Sequence, residues 1–422
     1  MLADGPNGRG SIPPDTPGHG TGPADEAGAL RVQRALAELR GGRAVTMRPG
    51  APSSPAPEGS SGPAGRAERS FPGGDPVRLA AIETLPEAAL ADFVGTDGRV
   101  RLLVAGERAE AIGCRPAAAT AELVLDAARE TPARTLGTLR TLAGLSATPW
   151  REPAGAAFEC RDAPGSLAGA ALALARESSL IPALLWRGRA AYADDAPASS
   201  ELELFADDAL AYPAARGRLL DRASSAMVPL AGAGRCEFTV FRERFGEAEH
   251  VAVTVGEPDR AAPVTVRIHS ACFTGDIFGS MKCDCGEQLR GAVAKLARDG
   301  GGVILYLAQE GRGIGLANKL RAYSLQARGF DTIDADRTLG FRSDHRDFTV
   351  ARTMLESLGI RRVRLVTNNP RKIAALDAGG IEVVERVPSI ASINPHNVDY
   401  LETKRDRAGH LFGPNGLAVA NE

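Results

Sequence analysis

Apolar positions recur along this chain with two periods, and the period at each place decides the element it predicts. Val32, Leu36 and Leu39 stand at i, i+4 and i+7 ahead of Gly41 and Gly42. That is a short helix with a stop signal, and Ala44 to Met47 then reads as a strand. Ala- and Leu-rich stretches predict helices over 117–128 and 165–178, with an extended segment over 99–104. Further on, Val264, Val266 and Ile268 alternate as a strand, while Leu289, Ala292, Val293 and Leu296 line one helix face. Residues 302–307 form an apolar strand, and Leu316, Leu320 and Tyr323 predict the next helix. A strand over 363–366, a helix over 372–378 and a strand over 381–384 continue the alternation. It argues for an α/β sheet with functional loops at its strand ends.

Between these periodic stretches lie two without a core-forming pattern. Residues 1–26 hold six Gly and five Pro, and residues 48–75 are again rich in Pro, Gly and Ser. Neither can bury enough apolar surface to offset the entropy of ordering. The expected organisation is therefore a largely disordered tail and linker with one short helix over 1–75 and a smaller α/β N-terminal domain of unknown role over 76–225. A C-terminal α/β catalytic domain follows over 226–412, with a flexible tail over 413–422. A length of 422 residues, at about 150 residues per domain, agrees with two to three domains.

Charge sharpens the division. The whole chain carries −2, but residues 267–410 hold 22 Lys plus Arg against 17 Asp plus Glu, a net +5 that leaves −7 for the remainder. The C-terminal part is thus the better host for an anionic ligand. No basic stripe with interleaved aromatics suggests nucleic acid. No run of about 18 apolar residues suggests a membrane span, and the start lacks a secretory signal, so a cytoplasmic protein is expected. Six cysteines are too few for a disulfide framework. Cys114 and Cys160 have no His or Cys near them in sequence and read as ordinary thiols.

Three cysteines do cluster: Cys272, Cys283 and Cys285 form C-x10-C-x-C between a strand and a helix. Three thiolates suit a soft or borderline cation, and with no fourth Cys nearby a tetrahedral zinc would stay open to water. Spacing alone leaves three readings open: a catalytic zinc, a structural zinc completed by His269 or a distant side chain, and three buried thiols.

Polar loops follow other predicted strands. Gln309-Glu310-Gly311-Arg312-Gly313-Ile314-Gly315 is neither a dinucleotide fingerprint nor a phosphate loop of the G-K-S/T type. Its glycines still allow close backbone approach, and Arg312 can fork onto a phosphate or carbonyl. Asp344-His345-Arg346-Asp347 follows Leu339-Gly340-Phe341. Thr367-Asn368-Asn369-Pro370-Arg371-Lys372 sets a hydroxyl, two amides and two cations at a strand end before a helix, a suitable place for phosphate. Taken singly, each of these loops also reads as a plain turn or helix cap.

Together, these blocks resemble GTP cyclohydrolase II of riboflavin synthesis, in order and spacing, over roughly residues 226–412. The carrying blocks are Arg267-Ile268-His269-Ser270, the three cysteines with Gly286 and Gln288, Gln309 to Arg312, Arg321-Ala322-Tyr323, Leu339-Gly340-Phe341 with Asp344 and Arg346, and 367–372. The resemblance implies zinc-dependent hydrolytic opening of the GTP imidazole ring, with release of formate and pyrophosphate. It implies Cys272, Cys283 and Cys285 as ligands of one Zn2+ per subunit. Arg267, Ile268, His269, Ser270, Ala271, Gln288, Glu310, Gly311, Arg312, Thr332, Thr367 and Lys372 match GTP-binding positions. Asp344 matches a proton acceptor, Arg346 a nucleophile toward the α-phosphorus, and Tyr323 a tyrosine near the reacting base. Mg2+ with the triphosphate and a homodimer are further implications. A guanidinium with a pKa above about 12 is a poor nucleophile, so clamping of the phosphate is the physically simpler role for Arg346.

Two positions depart from the family pattern. Ala271 stands where Glu is usual and Ala308 where Arg is usual, which bears on GTP affinity more than on reaction type. The opening RALAELRGGRAVTM resembles the start of dihydroxybutanone phosphate synthase, but the linker over 48–75 replaces the acidic metal and phosphate segment, so that second activity is not expected. Because every matched block lies after residue 226, ring opening is expected to need none of the preceding chain. Two other readings remain: a paralogue acting on another nucleotide or pyrimidine, and a non-enzymatic, zinc-stabilised nucleotide-binding module.

Overall fold

A computed structural model describes residues 23–50, 75–128, 130–146, 158–163, 165–188, 201–342, 344–389, 391–395, 397–398, 401–402 and 417–419, and single positions 405, 409 and 411. It is a mixed α/β structure with two seven-stranded sheets. The elements of the first half are α1 (Pro23–Arg40), β1 (Val45–Arg48), β2 (Val77–Ala81), β3 (Arg99–Ala105), α2 (Gly106–Ala111), β4 (Thr120–Asp126), α3 (Pro132–Ala143), β5 (Phe158–Asp162), α4 (Ser166–Glu177), β6 (Ala183–Gly188), β7 (Leu202–Phe205) and α5 (Ala206–Arg218). The second half begins with β8 (Leu220–Leu230), β9 (Gly234–Glu243), β10 (Glu249–Gly256), β11 (Val264–Ser270), α6 (Phe273–Asp276), α7 (Cys285–Arg298) and β12 (Gly301–Leu307). It continues with α8 (Leu316–Gln326), α9 (Thr332–Thr338), α10 (Thr349–Ser357), β13 (Arg362–Val366), α11 (Pro370–Asp377), β14 (Glu382–Val387), β15 (Ala391–Ile393) and β16 (Leu417–Val419).

The first sheet has the order β5-β4-β3-β6-β2-β1-β7, antiparallel except for the β1/β7 pair. One face packs on α1, α4 and α5 through a core that includes Val32, Leu36, Leu103, Leu184 and Tyr212. The other face packs on α3 and also on residues from the second half, among them Ile314, Ala322, Leu339 and Phe341.

The second sheet has the order β14-β13-β11-β12-β10-β9-β8. Strands β14, β13, β11 and β12 run parallel, whereas β10, β9 and β8 are antiparallel. Strands β11 and β13, covered on one side by α10 and α11, alternate apolar and polar residues, with Val264, Val266, Ile268, Val363 and Leu365 facing that core. The parallel direction brings the carboxyl ends of β11, β12 and β13 to one edge, where the loops after Ser270, Leu307 and Val366 converge.

Several expectations need correction. Ala and Leu propensity predicts a helix over 117–128, yet 120–126 is strand β4. Pairing with β3 and β5 on either side outweighs a propensity worth less than about 1 kcal/mol per residue. The short helix expected around Val32 to Leu39 and the strand expected over 44–47 are present as α1, 18 residues long, and β1, but both are built into the first sheet's core rather than into a separate tail. The second sheet begins at Leu220 rather than 226, since β8 pairs with β9 from there. Within the supposed C-terminal tail, 417–419 pairs with β15. The remaining linker residues, 51–74, lie outside those described. Cys114 and Cys160 are neighbours in space, and burial together with the adjacent Cys114 thiol pushes Cys160 up to about 12. Among the described residues no helix is long and apolar enough to cross a membrane.

Candidate active site

At that convergent edge lies a cleft of about 1100 Å³ including its open mouth. Cys272 follows the end of β11, while Cys283 and Cys285 sit at the start of α7. Their sulfurs all lie within 4.8 Å of one another, and Cys272 Sγ to Cys283 Sγ is 3.6 Å. Sulfurs around a tetrahedral zinc at about 2.3 Å stand about 3.8 Å apart, so the donor set fits such an ion. Gly275 lets them close up: a Cβ there would come 2.8 Å from Cys283 Sγ and 3.0 Å from Cys272 Sγ. Hydrogen bonds from the Cys283 and Cys285 thiols, and then from Lys319, hold the Cys272 thiol well below its ordinary range.

His269 does not complete this set. Among the described residues the group able to hold a metal contains the three cysteines alone, and His269 Nε2 is 3.1 Å from Asp276 Oδ1. Burial lowers the pKa of the ring, which stacks on Tyr306 at 5.6 Å. Asp276 also accepts from the Cys272 N–H at 2.9 Å, so it ties the ring to the first cysteine's backbone.

The loop after β12 brings Glu310 beside the thiols. Its Oε2 accepts from Phe273 N at 2.6 Å, and its Oε1 from Gly311 N at 2.8 Å and from Lys319 Nζ at 2.9 Å. The same ammonium donates to Cys272 Sγ at 3.1 Å. Burial favours the neutral amine, but the bonds to Glu310 and Cys272 prevail and raise the Lys319 pKa. Gly311 and Arg312 both sit in the left-handed region, at φ +62° and +60°. For Arg312 that is a strained conformation of the kind that collects at functional loops. Arg312 Nη1 faces Asp336 Oδ2 at 3.7 Å, and burial pushes the Asp336 carboxyl up to about 7.

Cations line the same cleft. Arg267, buried, donates to Val366 O at 2.9 Å and to Gln288 Oε1 at 2.5 Å, and Gln288 passes a bond on to Asp284. Lys372, at the start of α11, donates to Ile268 O at 2.8 Å. Arg346 contacts Ser270 Oγ at 3.4 Å and grips Asp344 through Nε at 2.9 Å and Nη2 at 2.7 Å. Arg346 and Lys372 stand 5.4 and 5.6 Å from the ring of Phe348. Asp344 also pairs with Arg371 at 3.0 Å. Against burial, which would raise it, the Arg346 contacts hold Asp344 at about 2.

Of the residues picked out from sequence, Arg267, His269, Ser270, Ala271, Gln288, Glu310, Gly311, Arg312, Tyr323, Thr332, Arg346, Thr367, Lys372 and the three cysteines line one cleft. Two do not. Ile268 is buried in the sheet core, as an alternating strand requires, and only its carbonyl reaches Lys372. Asp344 stands behind Arg346. Sequence reading missed Lys319 and Asp336, which also line the cleft. Both could have been found from helical spacing: Lys319 is four residues before Tyr323 on α8, and Asp336 four after Thr332 on α9.

A sequence model of the family described as GTP cyclohydrolase II matches residues 221–388. The chain is 41% identical over 417 residues to a GTP cyclohydrolase-2 of Azospirillum brasilense, covering 98% of this chain and 100% of that protein. It is 56% identical over 165 residues to a GTP cyclohydrolase-2 of Azotobacter vinelandii, 39% of this chain and 79% of the relative. To the riboflavin biosynthesis protein RibBA of Chlorobium phaeovibrioides it is 45% identical over 205 residues, 49% of this chain and 50% of the relative.

Proposed function

The chain belongs to the GTP cyclohydrolase II family, and on that premise we propose that it opens the imidazole ring of GTP by hydrolysis. Formate and pyrophosphate leave, and 2,5-diamino-6-(5-phospho-ribosylamino)pyrimidin-4-one remains, as the first step of riboflavin synthesis. One observation carries the reading. A set of three sulfurs shares a cleft with a carboxylate, Glu310, and with a group of cations.

Zinc is the metal of this reading, held by Cys272, Cys283 and Cys285; when bound it supplies a Lewis acid and a hydrolytic nucleophile near neutral pH. The protein's own groups do the rest. Glu310, one ammonium away from the Cys272 sulfur, is the carboxylate suited to take and return protons. Tyr323, with Lys282 and Lys319 at 4.9 and 5.9 Å from its ring centre, stands at the base end. Arg346, Lys372 and Thr367 meet the triphosphate, together with Mg2+. Asp344, held at about 2 by Arg346, orients that guanidinium. It can accept a proton only after Arg346 turns to the phosphate, which favours Arg346 as a clamp.

The test is purified full-length protein with GTP and Mg2+, following formate, pyrophosphate and the pyrimidine, with zinc measured in the same sample. Zinc-loaded protein that binds GTP yet forms no product would replace this reading with the binding module; turnover of another nucleotide in preference to GTP would replace it with the paralogue. The homodimer implied by the resemblance has its own check in light scattering.

A further inference from the structure

Helices α8 and α9 form one wall of the cleft, carrying Lys319, Tyr323, Thr332 and Asp336. Their opposite side rests on the first sheet. Ala322, Leu339 and Phe341 share an apolar core with Ile82, Leu102 and Leu185, so the wall's packing partner comes from the first half of the chain.

Directional bonds fix the contact. Arg321 on α8 donates to Glu83 Oε1 at 2.8 Å, while the other oxygen of Glu83 accepts from Ile181 N at 2.9 Å. Arg321 also donates to Asn318 Oδ1 at 2.6 Å, and Asn318 donates to Ser179 O at 2.9 Å. Ser179 sits at φ +58°, a conformation a serine holds only when its surroundings impose it. Arg108 is 4% exposed and spends its guanidinium on carbonyls. It donates to Leu142 O at 2.6 Å and Thr141 O at 2.9 Å, at the end of α3, and to Thr338 O at 2.8 Å, at the end of α9. A buried cation therefore closes two helix C-termini at once, one from each half, where its charge meets the negative ends of both helix dipoles.

We propose that the first sheet is a working part of the catalytic cleft: Glu83, Ser179 and Arg108 are positioning residues that set α8 and α9, and through them Lys319, Tyr323 and Asp336, for turnover. This replaces the expectation that the chain before residue 226 is dispensable, and it rests on the function proposed above only for its assay. The same bonds explain how residues so far apart in sequence act together, because each joins two rigid elements.

The experiment uses the full-length, zinc-loaded chain and the variants Glu83→Ala, Glu83→Gln, Arg108→Ala and Arg321→Ala. The control is Leu184→Ala, on the sheet's other face. Each is measured for Tm, bound zinc, hydrogen exchange over residues 316–338, and kcat and KM for GTP. The expected result is a fall in kcat/KM of about ten- to hundredfold in Glu83→Ala, as for a small misplacement of reacting groups. Faster exchange over 316–338 and unchanged zinc should accompany it. The Glu83→Ala and Arg321→Ala double variant should lose less than the sum of the two singles, since both break the shared Glu83–Arg321 bond. Leu184→Ala should lower Tm and leave the kinetic constants alone. If Glu83→Ala does not fold, Glu83→Gln keeps the Ile181 bond and weakens only the ion pair. Variants within twofold of the parent in kcat/KM would overturn the proposal and make the first sheet a packing partner only. Should the parent fail to open GTP, GTP affinity decides instead: a loss in Glu83→Ala upholds positioning, and an unchanged value overturns it.

Discussion

The two sheets have the same number of strands and comparable apolar cores, yet only one gathers chemistry. In the first, antiparallel strands alternate direction, so their loops divide between both ends and the polar groups settle into small local groups. Arg48 with Glu203 and Arg101 with Asp97 are examples at the surface, and buried Glu122 is satisfied by Trp186 Nε1 at 2.7 Å. In the second, β11, β12 and β13 end on one edge. Buried Arg267, Lys319, Asp336 and Lys372 therefore face a common space. Strand direction more than composition decides where charged groups can meet.

If that contrast is right, substitutions in the two regions fail in different ways. The largest effect belongs to the thiols: Cys283→Ser with Cys285→Ser should lose bound metal and essentially all ring opening, read by elemental analysis and formate release. Full activity in that variant would end the assignment of the cleft. Next, Arg346→Ala should cost about 3 to 4 kcal/mol in the step that releases pyrophosphate, with Tm little changed, and pyrophosphate assays give the answer directly. In the first sheet the pattern should invert. Leu184→Ala, a fully buried site, should cost about 2 to 5 kcal/mol of stability in denaturant titration while leaving KM for GTP where it was.

The smallest effect tests the cleft's own cost to stability. Asp336 has its folded pKa raised to about 7 from an ordinary 3.8. Between those values the folded protein holds a proton that the unfolded chain has released. Stability from this group is therefore present at low pH and lost as pH climbs to about 7. Asp336→Asn removes the penalty, so it should raise Tm at pH 8 by a few degrees and by less at pH 5. An equal gain at both values would mean that burial does not hold the carboxyl protonated.

Much of this was readable in the residue order. The cysteine cluster, the 309–315 loop and the 367–372 loop are local patterns, and each proved to sit at a strand end in one cleft. The helix over 165–178 and the strand over 99–104 were legible because their periods are clean. Residues 120–126 were not, because Ala and Leu suit a helix and only two neighbouring strands make them extended. Lys319 and Asp336 were hidden for another reason: a charged residue on a helix reads as solvated until a cleft is found beneath it.

What the sequence determined by itself was the chemistry available: three thiols, a carboxylate and a set of cations at fixed spacings within about 100 residues of chain, as near-neighbour groups of known reactivity. The tertiary structure alone decided their use. Asp344 became the partner of Arg346 rather than a free base, and His269 was tied to Asp276 rather than to the thiols. Arg108 reached Thr338 across 230 positions to join the two halves. Contacts at such separation follow from how whole elements pack, and no local spacing records them, because the entropy of closing so long a loop is offset only by the assembled core.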